Sequence, residues 1–192
     1  MDDWNVILLG LVQGLTEFLP VSSSGHLILA PAVLGFKDQG LAMDAMLHMG
    51  TLLSIIIFFR KDLIDLFWGL FPGKRGDRHR KLAWSIVAAS FPAGLFGLLA
   101  DDWIEANLRS PFFVAGNLLF WSGVFWFVDR RGKENGGSSD VRGLTPRQVF
   151  FIGCAQALAL FPGTSRSGVT LAAGLITRLN HETAARFSFL LG

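Results

Sequence analysis

The chain has 192 residues, of which 51% are hydrophobic and 18 are phenylalanine, and its mean hydropathy is +0.45. This composition is typical of a membrane protein and argues against an ordinary soluble domain. The formal net charge of +2 is small, and the basic residues sit in two loops rather than along one face, so a nucleic-acid partner is not indicated.

The first apolar segment is too short to cross a bilayer. It covers residues 6–19, which form a helix of roughly 21 Å against a hydrocarbon core of ~30 Å. Pro20 and a run of serines end it, and a second short apolar run follows at 27–36. Two half-length helices around a polar turn are typical of a re-entrant hairpin, in which the turn is buried in protein or lines a wet cavity. The sequence therefore predicts a re-entrant hairpin at about residues 5–36.

Three longer apolar segments follow the hairpin. They cover residues 43–59, 82–99 and 111–128, and each is close to the shortest length that spans a bilayer. We predict that all three are transmembrane helices.

The loops between these segments differ in charge. Residues 60–81 hold seven Lys and Arg, and residues 129–147 hold five, whereas the loops at 37–42 and 100–110 hold one each. Short loops rich in Lys and Arg stay on the cytoplasmic side of the membrane. The first two loops are therefore predicted to be cytoplasmic and the last two to lie outside.

A second polar turn, within residues 149–178, repeats the pattern of the first. Both contain Gly-x-x-Gln, an apolar run, Phe, Pro, a serine-rich turn and Gly. Because three predicted crossings separate the two turns, the second hairpin enters the membrane from the opposite face. A further helix is predicted at 182–192. The expected fold is an all-α integral membrane protein with one transmembrane domain over 1–192, an inverted-topology repeat with two re-entrant helical hairpins and several transmembrane helices.

Arg166 is the only basic residue within the apolar part of the second hairpin. An arginine inside a membrane costs at least ~2.5 kcal/mol on insertion scales, so a partner is expected. One hypothesis pairs it with Glu17 alone, as a buried ion pair. The other makes it part of an anion site, because Thr164, Ser165 and Ser167 at a helix N-terminus are the donors with which proteins bind oxyanions. The excess of donors over one carboxylate favours the anion site.

The first turn carries complementary chemistry. His26 suits a nucleophile or a general base, and the hydroxyls of Ser22, Ser23 and Ser24 suit a nucleophile or phosphate ligands. Glu17 suits three roles, which are to orient His26, to act as a base, or to help hold a divalent cation. Together these groups predict a site that handles an anion.

Other polar residues share the helical spacing of four that puts side chains on one face. Gln13 lies one helical turn before Glu17, so both side chains point toward the first turn. Asp44 and His48 have the same spacing in the first predicted span. They either line the same cavity or pair with each other, which would lower the cost of their burial.

Two motifs carry a family resemblance. Residues 13–26 read QGLTEFLPVSSSGH, and residues 162–168 read PGTSRSG. Together they resemble the bacterial undecaprenyl-diphosphate phosphatase family of the bacitracin-resistance type, and the resemblance covers essentially the whole chain. It implies hydrolysis of undecaprenyl diphosphate to undecaprenyl phosphate and inorganic phosphate, which recycles the lipid carrier for peptidoglycan synthesis and confers bacitracin resistance.

The resemblance also implies the residues of the site. The implied catalytic residues are Glu17, Ser23, His26 and Arg166. The implied phosphate-binding residues are Thr164, Ser165, Arg166 and Ser167, to which the hydroxyls of the first turn add Ser22 and Ser24 as candidate phosphate ligands. The cofactor implied is a divalent cation, Mg²⁺ or Ca²⁺, with Gln13 and Glu17 as its candidate ligands. The family motif allows either Glu or Gln at the position of Gln13, and Gln weakens any model that needs two carboxylates on the metal.

The resemblance places the chain in the bacterial inner membrane as a multi-pass protein whose active site opens to the outer face. Its expected partners are a polyprenyl diphosphate and membrane lipids, and a homodimer is one oligomeric state that the sequence leaves open. Family members run some tens of residues further, so the chain is expected to be truncated at its C-terminus.

The reaction itself is left open in two respects. We expect in-line attack on the terminal phosphorus by Ser23 or His26, with a preference for Ser23 activated by His26, and with Glu17 orienting His26 or holding the metal. The rival class is a transporter or flippase for an anionic lipid, because inverted repeats with broken helices are also transporter architecture.

Overall fold

The computed structural model describes residues 3–73, 76–132 and 140–192, apart from the side chains at positions 101, 105, 131 and 132. Every regular element in these ranges is a helix, as expected for an all-α protein. The α-helices are α1 Asp3–Thr16, α2 Ser23–Leu34, α3 Leu41–Phe58, α4 Arg60–Gly69, α5 Asp77–Leu108, α6 Pro111–Gly132, α7 Pro146–Ala157, α8 Arg166–Ile176 and α9 His181–Leu191. Short 3₁₀ turns at Val141–Gly143 and Leu158–Leu160 flank α7.

Among the described residues, three helical segments are long and apolar enough to cross a membrane. They are Leu41–Phe58, Asp77–Ala100 within α5, and Pro111–Arg130 within α6. Each overlaps one of the three predicted spans, so the prediction of three candidate membrane-spanning helices is confirmed.

The prediction of loops at 60–81 and 100–110 is wrong, because both segments are largely helical. Polar residues end a membrane span, but they do not have to end a helix. Helix α5 continues to Leu108, through most of the predicted loop at 100–110, where Ile104 is 3% exposed and gives the helix a packed apolar position. Helix α4 occupies the first half of the predicted loop at 60–81. Residues 133–139 of the loop predicted at 129–147 lie outside the described residues.

The two hairpins start their second helices in the same way. In the first hairpin, formed by α1 and α2, the Ser22 hydroxyl accepts a hydrogen bond from the backbone N–H of Gly25 at 3.3 Å. In the second, formed by α7 and α8, the Ser165 hydroxyl accepts one from the backbone N–H of Gly168 at 3.1 Å. Each serine satisfies one of the N–H groups that a helix start leaves without a partner.

The backbones at these two caps differ. Ser22 has a φ of +64°, whereas Ser165 has a φ of −72°. A residue other than glycine in the left-handed region is strained by its Cβ atom. The strained cap immediately precedes Ser23, the first residue of α2, and the relaxed cap precedes Arg166, the first residue of α8.

The tips of the hairpins touch each other and lie against α6. A Cβ atom at Gly25 would lie 3.1 Å from the Cα atom of Gly163, so the two backbones approach closely. Gly163 has a φ of +90°, and a Cβ atom there would lie 2.9 Å from the carbonyl oxygen of Val114 in α6. Asn117 of α6 donates a hydrogen bond to the Thr164 hydroxyl at 2.8 Å. Helix α6 thus fixes the second tip beside the first.

The apolar core anchors the second hairpin. Helix α7 packs against α5 so closely that a Cβ atom at Gly153 would lie 2.6 Å from the carbonyl oxygen of Ala89. Ile152 of α7 and Phe187 of α9 are each 1% exposed within this core. The second tip is therefore carried by a closely packed group of helices.

Candidate active site

The two hairpin tips enclose a polar cavity of about 230 Å³. Most of the predicted site residues line it, namely Glu17, Ser22, Ser23, Ser24, Thr164, Ser165, Arg166 and Ser167. His48 lines the cavity too. Gln13 is buried one turn behind Glu17, and His26 lines an adjacent cavity of about 290 Å³.

Glu17 is the centre of the contacts between the two tips. Its Oε1 atom accepts a hydrogen bond from Nη2 of Arg166 at 3.2 Å. Its Oε2 atom accepts hydrogen bonds from the Ser23 hydroxyl at 2.5 Å and from Nε2 of Gln13 at 3.0 Å. The carboxylate is 11% exposed, so these donors provide the solvation that burial removes.

Arg166 forms the ion pair that one sequence hypothesis required, and it also faces the cavity. Its side chain is 42% exposed, and its Nη1 atom donates to the carbonyl oxygen of Gly192 at 2.6 Å. A guanidinium carries five N–H donors, so these two contacts do not use all of its hydrogen-bonding capacity. The geometry accommodates both the contact to Glu17 and an anion in the cavity.

Ser23 has the surroundings of an activated hydroxyl. It is 8% exposed, it lies at the start of α2, and its proton points to a carboxylate at 2.5 Å. A serine becomes a nucleophile when a neighbouring group accepts this proton. Glu17 is therefore the proton acceptor that the hydrogen bonds indicate.

His26 is held next to the first turn rather than within the cavity. Its Nδ1 atom lies 2.8 Å from the carbonyl oxygen of Ser22, and because a carbonyl only accepts, Nδ1 carries the proton. Among the described residues, the contacts of the Glu17 carboxylate go to Gln13, Ser23, His48 and Arg166. The hypothesis that Glu17 orients His26 toward Ser23 finds no such contact there, and the catalytic role of His26 stays a prediction.

The second tip adds hydroxyl donors beside Arg166. Thr164 and Ser165 are each 3% exposed, and the hydroxyls of Ser165 and Ser167 lie 3.2 Å apart. Thr164 and Ser165 lie just before α8, and Ser167 lies in its first turn. Helix α8 has 11 residues, and its first N–H groups and its dipole favour negative charge at this end. The cavity thus joins a positive, donor-rich tip to a tip that carries the carboxylate and Ser23.

Sequence analysis only partly anticipated the contribution of α3. His48 lines the cavity, as one of the two alternatives for it held, and its Nδ1 atom contacts the backbone oxygen of Asp44 at 2.7 Å. The Asp44 carboxylate instead pairs with Arg109 at 2.5 Å, a residue that had been counted only as a loop charge. Asn117 of α6 was missed as well. Its polar side chain inside an apolar span was the signal that pointed to it.

The residues implied as cation ligands have suitable chemistry. The Oε1 atom of Gln13 is buried and makes no hydrogen bond, and the carboxylate of Glu17 lies within contact of the same side chain. Oxygen atoms of this kind are the ligands that Mg²⁺ and Ca²⁺ prefer. Within the described ranges, no three His, Cys, Asp or Glu side chains are grouped so that they could hold a metal ion.

The chain is similar to known proteins over nearly its whole length. The family model for bacitracin resistance protein BacA matches residues 6–192. The chain is 47% identical over 198 residues to an undecaprenyl-diphosphatase of Colwellia psychrerythraea, covering 100% of this chain and 73% of that protein. It is 46% identical over 189 residues to an undecaprenyl-diphosphatase of Hahella chejuensis, covering 97% and 70%. It is also 46% identical over 196 residues to undecaprenyl-diphosphatase 2 of Stutzerimonas stutzeri, covering 100% and 72%. With a match over nearly its whole length and relatives at this level of identity, the chain belongs to the BacA family of bacitracin resistance proteins.

Proposed function

We propose that the chain is an undecaprenyl-diphosphate phosphatase, which releases inorganic phosphate from undecaprenyl diphosphate and leaves undecaprenyl phosphate. The observation that carries this proposal is the chain of contacts from Ser23 through Glu17 to Arg166, which joins a hydroxyl, its proton acceptor and a phosphate-binding cation across one cavity. The names of the relatives point to the same reaction. Its product is a lipid carrier that can be reused in peptidoglycan synthesis, and such recycling accounts for bacitracin resistance.

In the first step, the Ser23 oxygen attacks the terminal phosphorus while its proton moves to Oε2 of Glu17. The bond from phosphorus to the bridging oxygen breaks, and undecaprenyl phosphate leaves with that oxygen. The oxygen of a water molecule then attacks the phosphorus of the phosphoserine, the phosphorus–Ser23 bond breaks, and Glu17 returns its proton to the Ser23 oxygen, so that the water oxygen and both of its protons leave as dihydrogen phosphate. Phosphoryl transfer depends mainly on such positioning and on neutralising charge.

Arg166 and the second tip stabilise the transferred group. The guanidinium fork suits two phosphate oxygens at once, and it already contacts the carboxylate that takes the Ser23 proton. Hydroxyls of Thr164, Ser165 and Ser167 and the N-terminus of α8 face the same cavity. Donors held in place before the reaction stabilise developing negative charge without having to reorganise.

We further propose that Gln13 and Glu17 hold a divalent cation, Mg²⁺ or Ca²⁺. Such an ion neutralises part of the charge on a diphosphate when it is bound. Gln13→Glu adds a second carboxylate beside Glu17 and is expected to lower the Mg²⁺ concentration that half-saturates binding, measured by calorimetry on the protein without lipid. An unchanged Mg²⁺ affinity would argue against these two ligands.

The chain is a membrane protein, and we propose that it lies in the bacterial inner membrane with its cavity opening to the outer face. The charges of the predicted loops support the topology of the helices, and the family resemblance supports a site that opens to the outer face. Among the described residues, three candidate membrane-spanning helices lie between the two hairpins, and this odd number supports an inverted-topology repeat with two re-entrant hairpins. Residues of one chain line the described cavity, so the proposal does not depend on a second subunit.

The reaction is tested by following phosphate release from undecaprenyl diphosphate by the purified full-length protein. A rapid quench with substrate labelled in the terminal phosphate then identifies the nucleophile. An acid-stable adduct on Ser23 is expected, an acid-labile adduct would assign His26, and turnover without an adduct would assign direct attack by water. Lipid binding without phosphate release would contradict the enzyme and favour the transporter or flippase.

A further inference from the structure

Helix α3 presents a polar face to the site within an otherwise apolar span. Asp44, His48 and Thr51 lie at positions i, i+4 and i+7, which fall on one side of a helix. The Thr51 hydroxyl accepts a hydrogen bond from Nε2 of Gln13 at 3.3 Å, so this face reaches the residue behind Glu17. Asp44 and Thr51 are 6% and 7% exposed. Polar side chains this deeply buried in a span indicate a role at the site.

His48 is oriented by its own helix. Its Nδ1 atom donates a hydrogen bond to the Asp44 carbonyl oxygen at 2.7 Å, which directs Nε2 toward the cavity. There Nε2 lies 3.5 Å from the Ser23 hydroxyl oxygen and 3.5 Å from Oε2 of Glu17. The imidazole therefore stands beside the two atoms between which the Ser23 proton lies.

We propose that His48 is a positioning residue of this site, which orients the Ser23 hydroxyl, and that Arg109 holds His48 in place through Asp44. This proposal rests on the phosphatase function proposed above. A hydroxyl proton rotates freely about the Cβ–Oγ bond unless acceptors fix it. Oε2 of Glu17 accepts that proton at 2.5 Å, and Nε2 of His48, whose ring proton is on Nδ1, is a second acceptor 3.5 Å from the same hydroxyl oxygen. Two acceptors restrict the rotation of the hydroxyl, and Ser23 lines the cavity in which the phosphorus would lie.

Arg109 fixes the first turn of α3 against the end of α5. Its Nη2 atom donates to Oδ2 of Asp44 at 2.5 Å, and its Nε and Nη2 atoms contact the Asp38 carboxylate at 3.3 and 3.4 Å. The side chains of Arg109 and Asp44 are 18% and 8% exposed. Burial by itself would lower the pKa of Arg109, but the hydrogen bonds and charges of Asp44 and Asp38 outweigh it and raise that pKa. Arg109 therefore keeps its charge, and its partner Asp44 lies one helical turn from His48.

The test compares two substitutions of His48 in the full-length protein in lipid nanodiscs. His48→Leu keeps an apolar side chain of similar bulk and is expected to lower kcat about 3- to 10-fold, the effect of one hydrogen bond. KM for undecaprenyl diphosphate should change by less than about twofold, since His48 orients Ser23 and does not hold the phosphates. His48→Gln is expected to retain most of the activity, because its amide oxygen reaches a similar position and accepts a hydrogen bond.

Two outcomes would overturn the role of His48. They are an unchanged kcat for His48→Leu, or equal losses for the Leu and Gln variants, since the second would mean that hydrogen bonding is not what His48 contributes. Absence of phosphate release from the unsubstituted protein would contradict the proposed function itself, which is a separate result.

The role of Arg109 is tested by a double-mutant cycle. Arg109→Gln is expected to lower kcat about threefold on its own and to have little further effect in the His48→Leu protein, because it acts through His48. Asp62→Asn is the matched control, as it removes a carboxylate that pairs with Arg186 at 3.0 Å beyond the opposite end of α3. The link between Arg109 and His48 would be contradicted if the loss in kcat of the double variant were the product of the two single losses. It would also be contradicted if Asp62→Asn lowered kcat as much as Arg109→Gln does.

Discussion

The two hairpin tips are built on one plan and carry opposite chemistry. In both, a serine caps the second helix by accepting from a glycine N–H three residues later. The first helical residue after the cap is Ser23 in one tip and Arg166 in the other. The same backbone position thus presents a hydroxyl with its carboxylate acceptor on one side and a guanidinium on the other.

This difference shows why neither tip would suffice alone. The first tip holds Glu17 and Ser23 but would repel a diphosphate, since its only charge there is negative. In the proposed site the second tip supplies the positive charge that phosphates require, and its hairpin, residues 146–176, contains no carboxylate to accept a serine proton. The contact from Arg166 to Glu17 at 3.2 Å brings the halves together and offsets part of the carboxylate charge.

The largest effect is expected from removing the hydroxyl of the first tip. Ser23→Ala deletes the atom that we propose as the nucleophile and should lower kcat on the order of 10³-fold or more, as loss of a nucleophile does in other enzymes. Phosphate release from undecaprenyl diphosphate measures it. Ser85→Ala is the control and should retain full activity, because the Ser85 hydroxyl donates to the Lys81 carbonyl oxygen of its own helix. Substantial turnover by Ser23→Ala would transfer the attack to His26 or to water.

The next largest effect is expected from changing the cation of the second tip. Arg166→Lys keeps the charge but loses the planar fork, so it cannot contact Glu17 and two phosphate oxygens together. We expect kcat/KM to fall about 10²- to 10³-fold, the effect of losing a preorganised donor to developing charge. Arg78→Lys, at a side chain that is 79% exposed, provides the control. Equal activity in the two Lys variants would remove Arg166 from the site.

A smaller effect is expected where the tips differ two residues before their caps. The first tip has Pro20 there, and the second has Gly163 with a φ of +90° and a neighbouring carbonyl that would lie 2.9 Å from a Cβ atom. Gly163→Ala should therefore reduce the free energy of unfolding by about 1–3 kcal/mol and lower activity by moving the second tip. Gly14→Ala, where a Cβ atom meets nothing within 4 Å, should be tolerated. A stable, active Gly163→Ala protein would contradict the close packing of the second tip against α6.

Local sequence patterns predicted the helices better than the contacts between them. Run length and hydropathy located the three candidate spans, because a bilayer demands apolar residues over a fixed distance. The same rule misplaced the end of α5, since polarity limits a span but not a helix that has a packed residue such as Ile104. It also could not pair Asp44 with Arg109, which lie far apart in the chain and meet only through packing.

The same distinction holds for the site, where sequence patterns predicted the residues but not the contacts between them. Polar residues inside apolar runs indicated Glu17, Ser23 and Arg166, because buried charge needs a reason. The sequence could not show that Glu17 contacts Ser23 at 2.5 Å while His26 turns to the Ser22 carbonyl at 2.8 Å. His26 and His48 both lie near the first turn. Only their distances to Ser23 and to the Ser22 carbonyl oxygen show that His48 is the one that borders the cavity.

The smallest expected effect isolates the strain in the first cap. Ser22→Gly and Ser165→Gly remove the same capping hydroxyl and add the same backbone freedom to the unfolded chain, so these two costs cancel when the variants are compared. What remains is the φ of +64° at Ser22, which glycine adopts without a Cβ penalty, against the ordinary φ of −72° at Ser165. Ser165→Gly should therefore lose more stability than Ser22→Gly, by about 1–2 kcal/mol. Unfolding in detergent measures this difference, and activity does not, because both hydroxyls also face the cavity. Equal losses in the two variants would mean that the first tip holds no backbone strain, and that the two turns differ in their side chains alone.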